Sequence, residues 1–187
     1  MRIQNTPLAG VKVLIPQRYT DKRGGLVEQF QLKRYKQAGI VDAFVQCNFS
    51  YSKQNVVRGL HTQIKYPQGK LVFVTYGTIF DVVVDICPHS PTFKQHYQIE
   101  LSAKNGYQLW IPPGYAHGFM VLSKMAHCHY FCTQYYNPDD QAGVNWQDTS
   151  LNIPWPRKNA ILSERDRLLP SLETFLLKYY RYQPPRI

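Results

Sequence analysis

Most apolar residues in this chain lie in short β-branched and aromatic runs or alternate with polar residues, a pattern typical of strands. The runs recur every ~8–12 residues with turn-forming residues between them, and the alternation favours antiparallel pairing. The sequence therefore predicts an all-β sandwich or barrel. The predicted extended segments are 10–15, 25–30, 70–76, 78–85, 98–102, 107–111, 118–122 and 126–133.

Two of the intervals predict tight hairpins. Gly77 alone separates segments 70–76 and 78–85, and the pair Asn105-Gly106 precedes segment 107–111. Glycine and asparagine supply the positive φ that short hairpin turns need. We therefore expect the two strands beside each turn to be neighbours in one sheet.

Helical signals are weak until the end of the chain. Residues 31–38 predict one short helix ended by Gly39, and residues 171–180 have helical apolar spacing. At 187 residues the chain has the length of one domain with a substantial core. We predict a single domain, 1–187, with short C-terminal helices at about 160–182.

Composition narrows the class of protein. Hydrophobic residues make up 44% of the chain and charged residues 18%, as in a globular protein. The net charge is +10, but basic residues are spread out, which favours attraction of a small anionic substrate over nucleic acid. No apolar run approaches a bilayer span, and the N-terminus has no apolar signal core, so we expect a cytoplasmic protein without a membrane partner.

The four cysteines form no CxxC pair. Cys128 and Cys132 share a strand face but lie ~13 Å apart, too far for a disulfide. We expect reduced, buried cysteines and no structural zinc. The complete set is Cys47, Cys87, Cys128 and Cys132.

A basic cluster gives the strongest indication of chemistry. The segment Arg58-Gly59-Leu60-His61 is followed by Lys70. In one pocket, a histidine base and a lysine cation suit proton abstraction next to a carbonyl, because the cation holds the developing enolate. The arginine suits phosphate. Taken singly, these residues also fit a buried strand histidine, a strand-end lysine and a structural ion-pair partner.

A second segment, Gly106-x5-Pro112-x-Gly114-x2-His117, resembles the second motif of cupin barrels. A metal-binding cupin would supply His-x-His and a carboxylate from its first motif, whereas this chain has His61-Thr62-Gln63 and Lys70. An ammonium has no lone pair for a cation, so we expect no metal. His117 is expected either to contact substrate or to stabilise the turn.

Two further side chains each have two interpretations. Strand alternation places Tyr130 on one face with Cys128 and Cys132, either as aromatic core or as a phenol that points into the barrel. Asp166 has capping-box spacing from Ser163. Its carboxylate would alternatively orient His61, as in catalytic triads.

The order and spacing of these segments resemble the dTDP-4-dehydrorhamnose 3,5-epimerases over nearly the whole chain. The segments that carry the resemblance include Val57-Arg-Gly-Leu-His61-x-Gln63, Gln68-Gly-Lys70, Gln108-Leu-Trp-Ile-Pro-x-Gly-Tyr-Ala-His-Gly-Phe119, Tyr135-Tyr136-x-Pro138 and Leu162-Ser-x-x-Asp166. The resemblance implies a cupin-type jelly roll with no metal or organic cofactor. It also implies a homodimer that exchanges N-terminal strands, about residues 1–30.

By this resemblance, His61 is the general base, oriented by Asp166. Lys70 stabilises the enolate at the C4 oxygen, and Tyr130 returns a proton from the opposite face. The resemblance also assigns a substrate site, lined by Gln46, Asn48, Arg58 and His117, with Arg23 and Glu28 reaching the neighbouring subunit's pocket. The implied reaction converts dTDP-4-dehydro-6-deoxy-α-D-glucose to dTDP-4-dehydro-β-L-rhamnose, for surface polysaccharide.

The sequence departs from the family pattern at possible nucleotide or interface contacts. Gly25-Leu26 replaces an aromatic pair, and alanine or aromatic residues replace arginines that are common in the family, at Ala142, Phe73 and Tyr107. These departures leave open a different nucleotide sugar, or a single-centre 3- or 5-epimerase or isomerase on a related nucleotide 4-keto sugar. A rival of another class is a non-catalytic barrel that binds sugar nucleotides. The presence of His61, Lys70, Tyr130 and Asp166 together argues against that barrel.

Overall fold

The computed structural model describes residues 1–180. The strands, in chain order, are β1 (Arg2–Asn5), β2 (Lys12–Ile15), β3 (Arg18–Asp21), β4 (Gly24–Val27), β5 (Gln46–Lys53), β6 (Val57–Gln63), β7 (Lys70–Tyr76), β8 (Thr78–Val84), β9 (His96–Ser102), β10 (Gln108–Ile111), β11 (Ala116–Val121), β12 (Met125–Cys132) and β13 (Gln141–Gly143). The helices are α1 (Leu32–Gln37), α2 (Glu164–Arg167) and α3 (Leu172–Tyr179).

The strands form two large antiparallel sheets and a separate hairpin. One sheet has the order β1-β2-β10-β7-β12-β5, the other has the order β13-β6-β11-β8-β9, and β3 pairs only with β4. The predicted cupin-type jelly roll with short C-terminal helices is thereby confirmed. Of the predicted helical tail, residues 181 and 182 lie outside the described residues.

Both predicted hairpins are wrong. β7 and β8, on either side of Gly77, lie in different sheets, and so do β9 and β10 on either side of Gly106. The two glycines have positive φ, 74° and 63°, and a Cβ at Gly77 would collide with the carbonyl oxygen of Met125. At both glycines, the positive-φ turn connects a strand of one sheet to a strand of the other. Consecutive strands of a sandwich can alternate between its two sheets, so a tight turn between two strands does not make them neighbours in one sheet.

The core lies between the two sheets, and helices cover their outer faces. The inner layer contains Val72 and Val83, both 0% exposed. Tyr35 of α1 packs on the six-stranded sheet, and Phe175 of α3 packs on the five-stranded sheet. The predicted stop of α1 is confirmed, because Gly39 follows the helix with φ of 79°. Within residues 1–180, no helix has both the length and the apolar character of a bilayer span.

The cysteine prediction is correct in part. All four cysteines are free, and Cys128 and Cys132 are buried on the inner face of β12. Cys87 is partly exposed and Cys47 is exposed, so the prediction of burial is wrong for Cys47. Its side chain lies on the outer face of β5, which is an edge strand.

Candidate active site

A cavity of about 420 Å³ is lined by side chains from both sheets and from α2. The six-stranded sheet contributes from β5, β7 and β12, and the five-stranded sheet contributes from β6, β11 and β13. Of the ten site residues predicted from the sequence, the structure brings eight to this cavity. They are Gln46, Asn48, Arg58, His61, Lys70, His117, Tyr130 and Asp166.

His61 and Asp166 form a hydrogen-bonded pair in the cavity wall. The Nε2 atom of His61 lies 2.6 Å from Oδ1 of Asp166. Ser163 caps α2, because its Oγ accepts the backbone N–H of Asp166 at 3.1 Å. The spacing of Ser163 and Asp166 therefore does mark the start of a helix, but the side chain of Asp166 binds His61 and does not act as a cap. When the imidazole is neutral and its Nε2–H donates to the carboxylate, Nδ1 is the basic nitrogen.

The surroundings of His61 favour its neutral form. Burial lowers its pKa below the ordinary value, and the charges of Lys70 and His117 act in the same direction. The carboxylate of Asp166 opposes this effect and raises the pKa. The imidazole therefore has a free lone pair at neutral pH, and Asp166 stabilises the imidazolium that forms when it accepts a proton.

Lys70 is the first residue of β7, where its Cα pairs with that of Cys132 in β12. Burial lowers the pKa of the lysine, while Cys132 and Asp81 act to raise it. In the part of the chain that the structure describes, its ammonium takes part in no ion pair. A cavity-lining ammonium without a carboxylate partner is suited to hold a developing negative charge on a ligand.

Tyr130 lies on the inner face of β12, as the strand alternation predicts. Burial raises the pKa of its phenol to about 12, and the nearby Cys132 and Cys128 act in the same direction. The hydroxyl is therefore protonated at neutral pH and is able to donate. Because β12 and β6 belong to different sheets, Tyr130 and His61 enter the cavity from different walls.

Polar side chains at the rim are connected to one another. Nε2 of Gln46 donates to Oδ1 of Asn48 at 2.9 Å, and the backbone N–H of Tyr136 donates to Oε1 of Gln46 at 2.8 Å. Arg58 donates from Nε to Oγ of Ser52 at 3.0 Å. Two of these hydrogen bonds thus link Asn48, Gln46 and the backbone of Tyr136 into one chain.

The structure adds Arg165 and Tyr136, which the sequence reasoning did not single out as site residues. Nη1 of Arg165 donates to the phenol oxygen of Tyr136 at 2.9 Å, and that hydroxyl donates to Oε1 of Gln141 at 2.6 Å. All three residues line the cavity. Arg165 directly precedes Asp166 on α2. Its position beside a predicted site residue was the feature of the sequence that could have identified it as part of the site.

His117 pairs with an acid that the sequence reasoning also missed. Its Nε2 lies 3.0 and 2.9 Å from the two carboxylate oxygens of Asp81, which is 0% exposed. His117 is also the Cα partner of His61 across β6 and β11. The available signal for Asp81 was a single acid within the apolar run 79–84.

Arg23 and Glu28 do not reach the cavity of their own chain. The side chain of Arg23 is 84% exposed and forms an ion pair with Asp21 at 2.6 Å. Glu28 pairs with Arg34 at 3.1 Å and lines a separate cavity of about 190 Å³. Their assignment to a neighbouring subunit's pocket stays a prediction.

The two-sheet jelly roll and its histidine-containing cavity place this chain in the class of cupin-type proteins. Residues 5–174 match the family model described as dTDP-4-dehydrorhamnose 3,5-epimerase. The chain belongs to this family. Among residues 1–180, no three His, Cys, Asp or Glu side chains come together as a metal site would require.

Relatives of that name are similar over most of the chain. The enzyme of Escherichia coli K12 is 42% identical over 179 residues, which cover 94% of this chain and 97% of the relative. That of Neisseria gonorrhoeae is 47% identical over 89% of this chain, but this chain spans only about half of it, 51%. A solved 3,5-epimerase from Legionella pneumophila, in complex with dTDP-4-keto-L-rhamnose, is 44% identical with a TM-score of 0.93, covering 100% of this chain and 98% of that one.

Proposed function

We propose that this protein epimerises dTDP-4-dehydro-6-deoxy-α-D-glucose at C3 and C5 to dTDP-4-dehydro-β-L-rhamnose, for synthesis of dTDP-L-rhamnose and surface polysaccharide. The observation that carries the proposal is one cavity with a neutral imidazole on one sheet and a protonated phenol on the other. The bound dTDP-4-keto-L-rhamnose of the Legionella relative supports the same class of ligand.

The chemistry follows from the position of the ketone. C3 and C5 both flank the C4 carbonyl, so removal of either hydrogen gives an enolate. Nδ1 of His61 takes the proton, and the ammonium of Lys70 holds the enolate oxygen. The phenol of Tyr130 then donates its proton to the opposite face of the same carbon, which inverts that centre. Exchange with solvent restores the proton of the phenol and removes the proton from the imidazole.

The cations at the cavity suit the remainder of the substrate. Arg58 and Arg165 line it, and guanidinium groups bind phosphate oxygens in pairs. The carboxylate of Asp166, which also lines the cavity, is already engaged with His61. Asp166 is the only carboxylate among the described residues that line the cavity, so the two guanidinium groups have no other acid there to neutralise them and are available to bind a diphosphate.

We also infer a homodimer in which the N-terminal strands, about residues 1–30, cross to the partner. Hairpin β3–β4 is almost entirely exposed, with Tyr19 at 61% and Leu26 at 70% exposure, and it carries Arg23 at its turn. Apolar side chains at such exposure favour burial against another surface. In that arrangement Arg23 and Glu28 would contact the substrate held by the partner.

A mixing experiment tests strand exchange. His61→Ala and Arg23→Ala chains are each inactive or impaired as homodimers if both residues act on the substrate. When the two are unfolded and refolded together, exchange brings one intact His61 and one intact Arg23 to the same site. Recovered activity, compared with each variant refolded alone, supports action across the dimer; no recovery in a confirmed mixed dimer contradicts it.

We place the reaction in the cytoplasm. The four free cysteines agree with a reducing compartment, since disulfides are rare there. The substrate is expected to be the only partner besides a second copy of the chain, with no nucleic acid or membrane partner and no cofactor. These statements stay predictions.

Hydrogen exchange in D2O, followed by NMR at C3 and C5, tests the reaction. Deuterium at both carbons with inversion is the expected result, and His61→Ala abolishes it with little loss of binding. The exposed His89 lies outside the cavity, so His89→Ala is the matched control. Exchange at one carbon would show a single-centre epimerase. Binding without any exchange would show a barrel that only binds sugar nucleotides.

A further inference from the structure

An exposed arginine of the active-site cavity is held by a buried serine that does not itself line the cavity. Arg58 lies on β6, and its Nε donates to Oγ of Ser52 on β5 at 3.0 Å. Ser52 is 5% exposed, whereas Arg58 is exposed and lines the cavity. Because β5 and β6 belong to different sheets, this hydrogen bond connects the two sheets next to the cavity.

The contact with Ser52 leaves the terminal nitrogens of Arg58 available to a ligand. Among the residues that the structure describes, Arg58 has no ion pair, and its side chain donates only from Nε to Ser52. A guanidinium is planar and holds its donors in a rigid fork, so a contact at Nε fixes the plane in which Nη1 and Nη2 lie. Two oxygens of one phosphate group can accept from such a pair of nitrogens.

A neighbouring serine on the same face of the strand makes no such contact. Ser50 and Ser52 point to the same side of β5, because strand residues two apart share a face. In the described part of the chain, Oγ of Ser50 is buried and has no hydrogen-bond partner. The two hydroxyls therefore differ in their contact with Arg58.

We propose that Ser52 is a positioning residue for diphosphate binding, which holds the guanidinium of Arg58 so that its terminal nitrogens meet the phosphate oxygens. The inference rests on the proposed function, because the diphosphate belongs to the nucleotide sugar. An arginine side chain has many rotamers, and ordering it during binding costs affinity. A hydrogen bond that already exists in the free protein reduces that cost. Ser52 therefore acts on binding of the nucleotide and not on proton transfer at His61 or Tyr130.

Calorimetric binding of dTDP tests the proposal, with Ser50→Ala as the matched control. Each variant removes one hydroxyl from the same face of β5, but Ser52→Ala alone removes a contact with Arg58. We expect Ser52→Ala to weaken dTDP binding about two- to ten-fold, because the ligand must then order the arginine. KM should rise by a similar factor with kcat unchanged. Ser52→Thr keeps a hydroxyl and should restore affinity, and Ser50→Ala should bind dTDP as the wild type does.

A double-mutant cycle with Arg58→Ala separates positioning of the arginine from a general disturbance of β5. Once Arg58 is absent, Ser52→Ala is expected to cause no further loss of dTDP affinity. Thymidine has no phosphate, so the wild type and Ser52→Ala should bind it equally in an NMR titration. Additive losses in the cycle, equal weakening by Ser50→Ala, or a fall in kcat with unchanged KM would overturn the proposal.

These binding measurements need no turnover, so they separate the role of Ser52 from the reaction. If the wild type exchanges neither C3 nor C5 but Ser52→Ala still weakens dTDP binding, the proposed reaction fails and the role of Ser52 stands. If dTDP is the wrong nucleotide, inorganic pyrophosphate is the probe, and the same loss is expected. A wild type that binds neither dTDP nor pyrophosphate would overturn the role of Ser52, because Arg58 would then have no phosphate to bind.

Discussion

Replacement of Asp166 by asparagine tests the central pair of the site with little change of shape. The carboxylate oxygen lies 2.6 Å from Nε2 of His61, so the two groups form an ion pair when the imidazole accepts the substrate's proton. With about 4 Å between charge centres and an effective dielectric constant of about 20, that pair is worth about 4 kcal/mol. Its loss corresponds to a decrease of about a thousand-fold in kcat.

The assay is NMR of C3 and C5 exchange in D2O, with binding measured separately by calorimetry. We expect kcat to fall by about three orders of magnitude while substrate affinity stays within a few-fold. Because Asp166 raises the pKa of His61, the acid limb of the pH profile is also expected to move to lower pH in Asp166→Asn. This second effect distinguishes loss of charge from general disturbance of the site.

Asp148→Asn is the matched control. Its carboxylate accepts the N–H of Leu172 at the start of α3, at 2.7 Å, and it does not line the cavity. We expect this control to lower the Tm with no large effect on kcat. If Asp166→Asn folds normally and keeps kcat within ten-fold of the wild type, the carboxylate does not assist His61 and the reasoning is refuted.

Three further outcomes are expected. Tyr130→Phe should reduce inversion about 10²- to 10⁴-fold while NMR still detects exchange through His61; equal loss of both would make the phenol part of the core. Because burial lowers the pKa of His61 and the neutral form is the base, kcat/KM should be lost only as the pH falls below the ordinary value of 6.5; a half-point above it would contradict this. Phe175→Ala, at a side chain with 0% exposure, should lower the urea-measured free energy of unfolding by about 3–5 kcal/mol, and a loss under about 1 kcal/mol would count against its core role.

Eight of the thirteen strands in residues 1–180 were predicted from the sequence, but β1, β3, β5, β6 and β13 were missed, and the pairing of the strands was not readable. The apolar run 70–76 gives the bounds of β7 directly, because β-branched and aromatic side chains suit a buried pleated strand. Gly77 was misread because its positive φ is needed equally for a hairpin and for a turn between sheets. Pairing depends on packing between distant segments, which local turn chemistry does not specify.

In the site, too, the chemistry of single residues was predictable from the sequence, whereas their contacts with distant residues were not. His61 and Lys70 were predicted from their chemistry, and the structure places both in one cavity. For Asp166, spacing alone left a cap and a histidine partner as alternatives, whereas the structure shows that Ser163 caps the helix and that the carboxylate of Asp166 binds His61. Asp81 was missed because a single acid in an apolar strand gives no indication of the partner it meets across the sheet.

The two walls of the cavity belong to opposite layers of the sandwich, so the gap between His61 and Tyr130 is a property of the core. Packed sheets lie about 10 Å apart, and close-packed interiors transmit changes as small as one methylene. Val72, the fully buried Cα partner of Tyr130 across β7 and β12, helps to set that thickness. The thickness of the core therefore sets the distance between the base and the acid on either side of a bound sugar ring. Substitutions in the core that change this distance are expected to affect whether one carbon or two are inverted, although these residues do not contact the substrate.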